Sequence, residues 1–200
     1  MQTYLYFVRH AVAPFSVELE RGAGGSHLSE QGKSDARRAA ELLMNEGIDV
    51  IVSSSYFRAV ETVAPLAELL RKEIVRYDEL VERPIASLNY AVPEEQLLAA
   101  IEKSFADIDF CLPEGETTRE AQERALPVIL RLLSDYKGRK IAIGTHGNIM
   151  TIIMNYFDSR YGFAFWQQTS KPDIYRLEFE GTELRRVERL WPDGRSILRE

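Results

Sequence analysis

Residues 4–11 read Tyr4-Leu5-Tyr6-Phe7-Val8-Arg9-His10-Ala11, an apolar run that ends on an arginine followed at once by a histidine. Aromatic and β-branched residues suit a pleated, buried strand, and so short a run bounded by polar residues reads as one. Arg9 and His10 then fall at its carboxyl end. In open α/β sheets ligands bind in the crevice outside the carboxyl ends of the strands, so this strand delivers a guanidinium and an imidazole to that edge.

Outward from this stretch, helical and strand-like segments alternate. Ala11 to His27 carries Pro14, Gly22, Gly24 and Gly25 and reads as a loop at the mouth of such a site. Ser29 can cap a helix with Glu30 in its first turn; Ala36, Ala39, Ala40 and Leu43 recur at helical spacing, and Gly47 follows its expected end near Glu46. Ile48–Val52 reads as a second strand. It leads through Ser53-Ser54-Ser55 to Arg58, in the first turn of a helix with the apolar stripe Val60, Val63, Ala64 and Ala67. A cation there opposes the helix dipole but lies beside free amides that attract anions, as a phosphate site requires. A surface ion pair with Glu61 is the competing reading.

Pro65 predicts a kink in that helix. Glu73–Arg76 reads as a short edge strand, and Asp78–Pro84 as an acidic loop holding Glu79 and Glu82. Pro93–Ser104 is a helix inside an insertion, about residues 84–114, over the site. Thr117 and Glu120 have capping-box spacing and open a long helix to about Tyr136, with Pro127 expected to bend it. Lys140–Thr145 is a further strand, ending in His146-Gly147-Asn148, with Ile149, Ile152, Ile153 and Tyr156 as the buried face of the next helix. The aromatic run Tyr161–Trp166 is core or pocket wall, and Asp173–Phe179 and Leu184–Trp191 form a terminal hairpin. The expected architecture is α/β: a three-layer sandwich with a mostly parallel central sheet, helices on both faces and a C-terminal β-hairpin, in a single domain over residues 1–200.

With a formal charge of −6 and a pI near 5.3, the chain is not expected to bind nucleic acid or an anionic membrane through a general surface, so any anion site must be concentrated. One cysteine, Cys111, provides neither a disulfide framework nor zinc spacing. The first apolar run has no basic region before it and is too short for a signal peptide or a span, which makes a cytoplasmic location the expectation. Three strand ends thus present Arg9-His10, Arg58 and His146; the third histidine is His27. Two histidines could suggest a metal, but zinc wants a third protein ligand and two arginines would repel a dication, so neither metal nor cofactor is expected. An anion suits them better. The guanidinium fork matches phosphate oxygens, and a neutral imidazole offers a lone pair for in-line attack on phosphorus, which reads as covalent phosphoryl transfer.

The same residues carry a resemblance that spans nearly the whole chain. Phe7-Val8-Arg9-His10-Ala11, Leu28-Ser29-Glu30-Gln31-Gly32, Ser54-Ser55-Tyr56-Phe57-Arg58-Ala59 with Thr62, Leu80-Val81-Glu82, Gly115-Glu116-Thr117 with Arg124, and Thr145-His146-Gly147 occur in the order found in the histidine phosphatase superfamily, which includes the cofactor-dependent phosphoglycerate mutases. The resemblance implies that His10 is the nucleophile that becomes phosphohistidine, that Arg9, Arg58 and His146 bind the phosphoryl oxygens, and that Glu82 is the proton donor. The chain departs from the pattern at Ala11-Val12-Ala13-Pro14, where the family commonly has glycine and then a polar phosphate ligand. It departs again at Arg83-Pro84-Ile85, which replaces a glycine-containing segment and makes Glu79 the local substitute for Glu82. Arg21 is a candidate substrate contact, against a plain surface role. The expected activity is that of the phosphatase branch: a phosphomonoesterase acting on a small phosphorylated metabolite. The alternatives are a mutase-type isomerase, a non-catalytic phospho-ligand binding or regulatory module, and a phosphatase of phosphohistidine on a partner protein. Oligomeric state has no signature.

Overall fold

A computed structural model of the chain describes residues 1–15, 24–89 and 91–192. Its elements are β1 (Gln2–Arg9), α1 (Glu30–Leu43), β2 (Val50–Ser54), α2 (Phe57–Leu70), β3 (Ile74–Tyr77), a 3-10 turn (Asp78–Leu80), α3 (Glu94–Ala106), α4 (Thr118–Asp135), β4 (Lys140–Thr145), α5 (Gly147–Phe157), α6 (Phe163–Gln168), β5 (Asp173–Glu180) and β6 (Glu183–Arg189). The strands form one sheet in the order β3-β2-β4-β1-β5-β6. The first four of these pair in parallel, whereas β5 runs antiparallel to β1 and makes a hairpin with β6. The sandwich and its C-terminal hairpin are therefore as the sequence predicts.

Successive strand residues point to opposite faces, so a strand covered on both sides must be apolar throughout. β1 meets that demand. Leu5 and Phe7 pack with Val52, Ile141 and Ile143 beneath Ile129 and Leu132 of α4 and Ile149 and Ile152 of α5. Tyr6 and Val8 join Leu43 of α1 and Val63 and Leu66 of α2 on the other face. Each such side chain stabilises the fold by about 1.5–3 kcal/mol relative to leaving it in water. Tyr6 satisfies its buried hydroxyl by donating to Glu46 at 2.8 Å.

The register brings the carboxyl ends together. Arg9 lies level with Thr145 and Ser53 with Gly144, so β1, β4 and β2 finish at one edge of the sheet. The His10 amide extends the ladder by donating to the Thr145 carbonyl at 2.9 Å. Ser29 caps α1, accepting from the Gly32 amide at 3.0 Å. Gly32 is needed there because a Cβ would come within 2.2 Å of the Val12 carbonyl oxygen, so the first turn of α1 can lie directly on the loop that follows His10. The predicted capping box of Thr117 and Glu120 opens α4.

Two local differences from the sequence reading, at β2 and in α5, have physical causes. β2 begins at Val50 and runs through Ser53 and Ser54, two residues later than the apolar pattern suggests, because those buried serines find partners in the Gly144 carbonyl and His146. Pro65 and Pro127, where a bend is expected, lie inside the spans of α2 and α4. Tyr156, expected on the buried face of α5, is 53% exposed; Phe157 takes the inward place, edge-on to Phe179 at 4.9 Å. Among the described residues no helix is long and apolar enough to cross a membrane.

Candidate active site

His10 stands just past β1 and is 7% exposed. Its Nδ1 lies 2.8 Å from the Ala11 carbonyl. A carbonyl can only accept, so Nδ1 carries the proton and the lone pair is left on Nε2. The peptide that makes this bond is itself held: the Ala11 amide donates to the Thr62 hydroxyl at 3.0 Å, and that hydroxyl donates to the Arg58 carbonyl at 2.6 Å. The Ala11 methyl is completely buried against Leu28 and Ala36. At this position the backbone serves the site while the side chain packs under α1.

His146 precedes α5 and is fully buried, its ring centroid 5.2 Å from that of His10. Its Nε2 is 2.7 Å from the Ser54 hydroxyl at the end of β2, and its Nδ1 has no partner among the described residues. Arg58, in the first turn of α2, is also buried; its guanidinium lies 4.9 Å from the centre of the Tyr56 ring, which meets His146 edge-on at 5.5 Å. The ion pair with Glu61 does not form. Glu61 instead accepts from the Leu28 amide at 2.8 Å and pairs with His27, which stacks on Phe57 at 4.5 Å, so the third histidine is outside the cluster.

Arg9 turns its guanidinium along the same edge and donates through Nη1 to the hydroxyl and, at 3.3 Å, to the carbonyl of Thr169. Its Nε has no partner among the described residues. The close seat of Arg9 against the start of α5 requires Gly147, where a Cβ would lie 2.7 Å from the guanidinium carbon. The structure thus gathers Arg9, His10, Arg58 and His146 at one edge, as read from the sequence.

Burial and mutual repulsion set the charge of this cluster. His10 is held well below the ordinary histidine range by burial, then by Arg58, Arg9 and Lys171. His146 is held down likewise by burial, with His10, Arg58, Arg9 and Arg124 adding to it. Burial also lowers Arg9 to about 10, opposed by Glu82, Asp173 and Tyr175. Both imidazoles are neutral at neutral pH, while Arg9 keeps its charge. Two arginines are therefore concentrated beside two neutral imidazoles in an acidic chain.

Glu82 lies against the start of α5. Its Oε2 accepts from the Asn148 amide at 3.0 Å, and its Oε1 from the amides of Ile149 at 2.8 Å and Arg83 at 3.0 Å. Glu79, in the 3-10 turn, is exposed and offers only its carbonyl, which Arg124 binds at 2.5 Å. Arg124 also donates to the Val81 carbonyl at 3.0 Å and forks onto Glu116 at 2.5 and 2.8 Å, so the pair clamps the loop that carries Glu82. Arg83 is buried behind Glu82, bonded to Asn148 at 2.7 Å and Thr118 at 3.2 Å, and lowered to about 10 by burial. The segment after it closes on itself, with the Glu116 amide on the Pro84 carbonyl at 2.7 Å and the Leu112 amide on Ile85 at 3.0 Å. Ile85, Ala100 and Ile101 of this segment pack with Phe163 and Trp166, so it leans on α6, whose end supplies Thr169 to Arg9.

Arg21 lies outside the described residues. Among the described residues no three or more His, Cys, Asp or Glu side chains converge as a metal cage would need. Sequence reasoning missed Thr169 and Lys171, whose only signal was a Ser-Lys-Pro stretch before the hairpin.

Known proteins resemble this chain in sequence and in fold. A 2,3-bisphosphoglycerate-dependent phosphoglycerate mutase of Azorhizobium caulinodans is 26% identical over 197 residues, covering 91% of this chain and 96% of that one. An uncharacterized phosphatase, PhoE, of Bacillus subtilis is 27% identical over 146 residues, 72% of each chain. In fold, a mycobacterial glucosyl-3-phosphoglycerate phosphatase superposes with a TM-score of 0.73 at 21% identity, covering 94% of this chain and 97% of that one. The sequence model of the Histidine phosphatase superfamily (branch 1) matches residues 5–191, and the chain belongs to that family.

Proposed function

We propose that this protein is a metal-independent phosphomonoesterase that hydrolyses a small phosphorylated metabolite through a phosphohistidine on His10. The observation that carries this reading is the His10–Ala11 hydrogen bond, which commits Nδ1 as donor and leaves the Nε2 lone pair among Arg9, Arg58 and His146. Nε2 attacks phosphorus and forms an N–P bond as the bond from phosphorus to the ester oxygen breaks. Arg9, Arg58 and Nδ1 of His146 donate to the phosphoryl oxygens and offset their charge. The Glu82 carboxyl gives its proton to the departing alkoxide. The resulting carboxylate takes a proton from the water that attacks the phosphohistidine, which releases inorganic phosphate and returns His10 to its neutral form. A protonated Glu82 keeps lone pairs on both oxygens, so it can still accept from the α5 amides while its O–H points toward the leaving group.

A second reading, mutase-type transfer back to substrate, is favoured by the likeness to the Azorhizobium mutase. Against it stands the brevity of the 84–114 segment, one 13-residue helix and its arms, where a mutase must keep water from the phosphohistidine.

The test is turnover of p-nitrophenyl phosphate with chelator present, with an alkaline quench to trap phosphate on His10. Undiminished phosphate release and a His10 adduct are expected; chelator-sensitive turnover or a quench that traps nothing defeats the mechanism. Phosphoglycerate isomerised faster than phosphate is released makes it a mutase. Phosphate binding without any turnover makes it a binding module.

A further inference from the structure

Arg9 is buried, and among the described residues no carboxylate is bonded to it. Asp173 lies level with it where antiparallel β5 begins, fully buried, yet it is engaged elsewhere. Its Oδ1 accepts from the Ile174 amide at 3.0 Å and from Nε of Arg189 at 2.9 Å. Its Oδ2 accepts from the Ser170 amide at 2.9 Å, the Tyr175 hydroxyl at 3.0 Å and Nη2 of Arg189 at 2.6 Å. The acid beside Arg9 is thus committed to another arginine.

What holds Arg9 is neutral. Its Nη1 donates to the hydroxyl of Thr169 and, at 3.3 Å, to the carbonyl of the same residue. The Thr169 hydroxyl gives its one proton to the Trp166 carbonyl at 2.7 Å, so toward Arg9 it can only accept. Thr169 is itself completely buried, and its amide donates to that same carbonyl at 3.1 Å. The clamp is therefore fixed to the end of α6 through both its amide and its hydroxyl. A guanidinium has two forks, Nη1 with Nη2 at its tip and Nη2 with Nε along its side. Holding Nη1 leaves the side fork, whose Nε has no partner among the described residues. That fork lies against Gly147, directly after His146: a Cβ there would come within 2.8 Å of Nη2 and 3.0 Å of Nε. A carboxylate in place of Thr169 would also hold Nη1, but it would offset the positive charge that attracts a phosphoryl dianion. Two neutral oxygens orient the fork and leave the charge on it.

We propose that Thr169 is a positioning residue, which holds Nη1 of Arg9 so that the Nε–Nη2 fork, its charge not offset, receives two phosphoryl oxygens. Thr169 acts through Arg9, and the proposal rests on the phosphomonoesterase reading of the pocket.

The test is a double-mutant cycle on p-nitrophenyl phosphate turnover with wild type, Thr169→Val, Arg9→Lys and the double variant, and with Thr169→Ser as the conservative control. Thr169→Val keeps the shape and the carbonyl but loses the hydroxyl. It should lower kcat/KM about 10-fold, mainly through kcat, the low end for a hydrogen bond to a charged group because the carbonyl still holds Nη1. Thr169→Ser should stay within about 2-fold of wild type, since it keeps the acceptor. A lysine has no fork to aim, so in the Arg9→Lys background Thr169→Val should cost less than about 2-fold. An unchanged kcat/KM in Thr169→Val, a serine variant as poor as the valine one, or the same loss in both backgrounds overturns the proposal. A Thr169→Val chain that does not fold by circular dichroism is replaced by Thr169→Ala; if neither folds, the residue is structural and the proposal is overturned. If wild type turns over no ester, the phosphomonoesterase reading fails by itself. In that case, or where Arg9→Lys is too slow to assay, the same cycle is read from dissociation constants for inorganic phosphate by calorimetry. A loss of affinity in Thr169→Val that needs Arg9 supports the proposal there; no loss, a loss independent of Arg9, or no phosphate binding overturns it.

Discussion

The ends of β1 and β4 are neighbours in register, and each delivers a histidine to the same pocket, yet the two imidazoles are held by opposite nitrogens. His10 is tied through Nδ1 to a carbonyl, and His146 through Nε2 to the Ser54 hydroxyl. A carbonyl admits one tautomer, so His10 presents a lone pair. A hydroxyl can donate or accept, so His146 can place its proton on Nδ1 and act as a donor. What a strand end contributes is thus set by the type of oxygen behind the ring, not by the histidine itself.

Removing each histidine is the hardest blow to this contrast. His10→Ala should lower turnover of an aryl phosphate by about 10⁴-fold or more, as loss of a nucleophile does. His146→Ala should cost only about 10²–10³-fold, the effect of one missing oxyanion donor, and initial rates on both variants check it. Equal losses would erase the distinction. Ser54→Ala leaves both rings in place but takes away the oxygen behind His146; a fall of about 10-fold in kcat with little change in KM, and about 1 kcal/mol of stability in urea titrations, is expected. The smallest effect concerns pH. Both folded histidines lie below their ordinary value of 6.5, so the unfolded chain binds protons first. Stability present above pH 6.5 is therefore lost as pH falls through that value toward the folded ones, and urea midpoints should drop less steeply in His146→Ala than in wild type.

The residues that follow a local rule were legible in the sequence. Arg9, His10 and His146 each end an apolar run, Arg58 opens a helix, and strand ends of a parallel sheet meet at one edge, so their convergence followed from the alternation of elements. Ser53 and Ser54 broke the hydrophobic pattern because their burial depends on partners from β4 and His146, not on their own polarity. Glu82 lies on a turn with no periodicity, and family likeness alone pointed to it; its seat on the α5 amides could not be read locally. Thr169 and Lys171 were out of reach, since their place at the edge depends on an antiparallel pairing between segments 160 residues apart in the chain.

That reversed strand divides labour within the molecule. His10, Arg9 and Arg58 are seated by a parallel strand end and a helix start, where a shift of one part disturbs the others. The segment 169–173 leading into β5 is braced by its own residues and by Arg189, and Thr169 ties it to Arg9. That segment is consequently a place where one side chain can be exchanged for another with the register of the parallel strands left as it was.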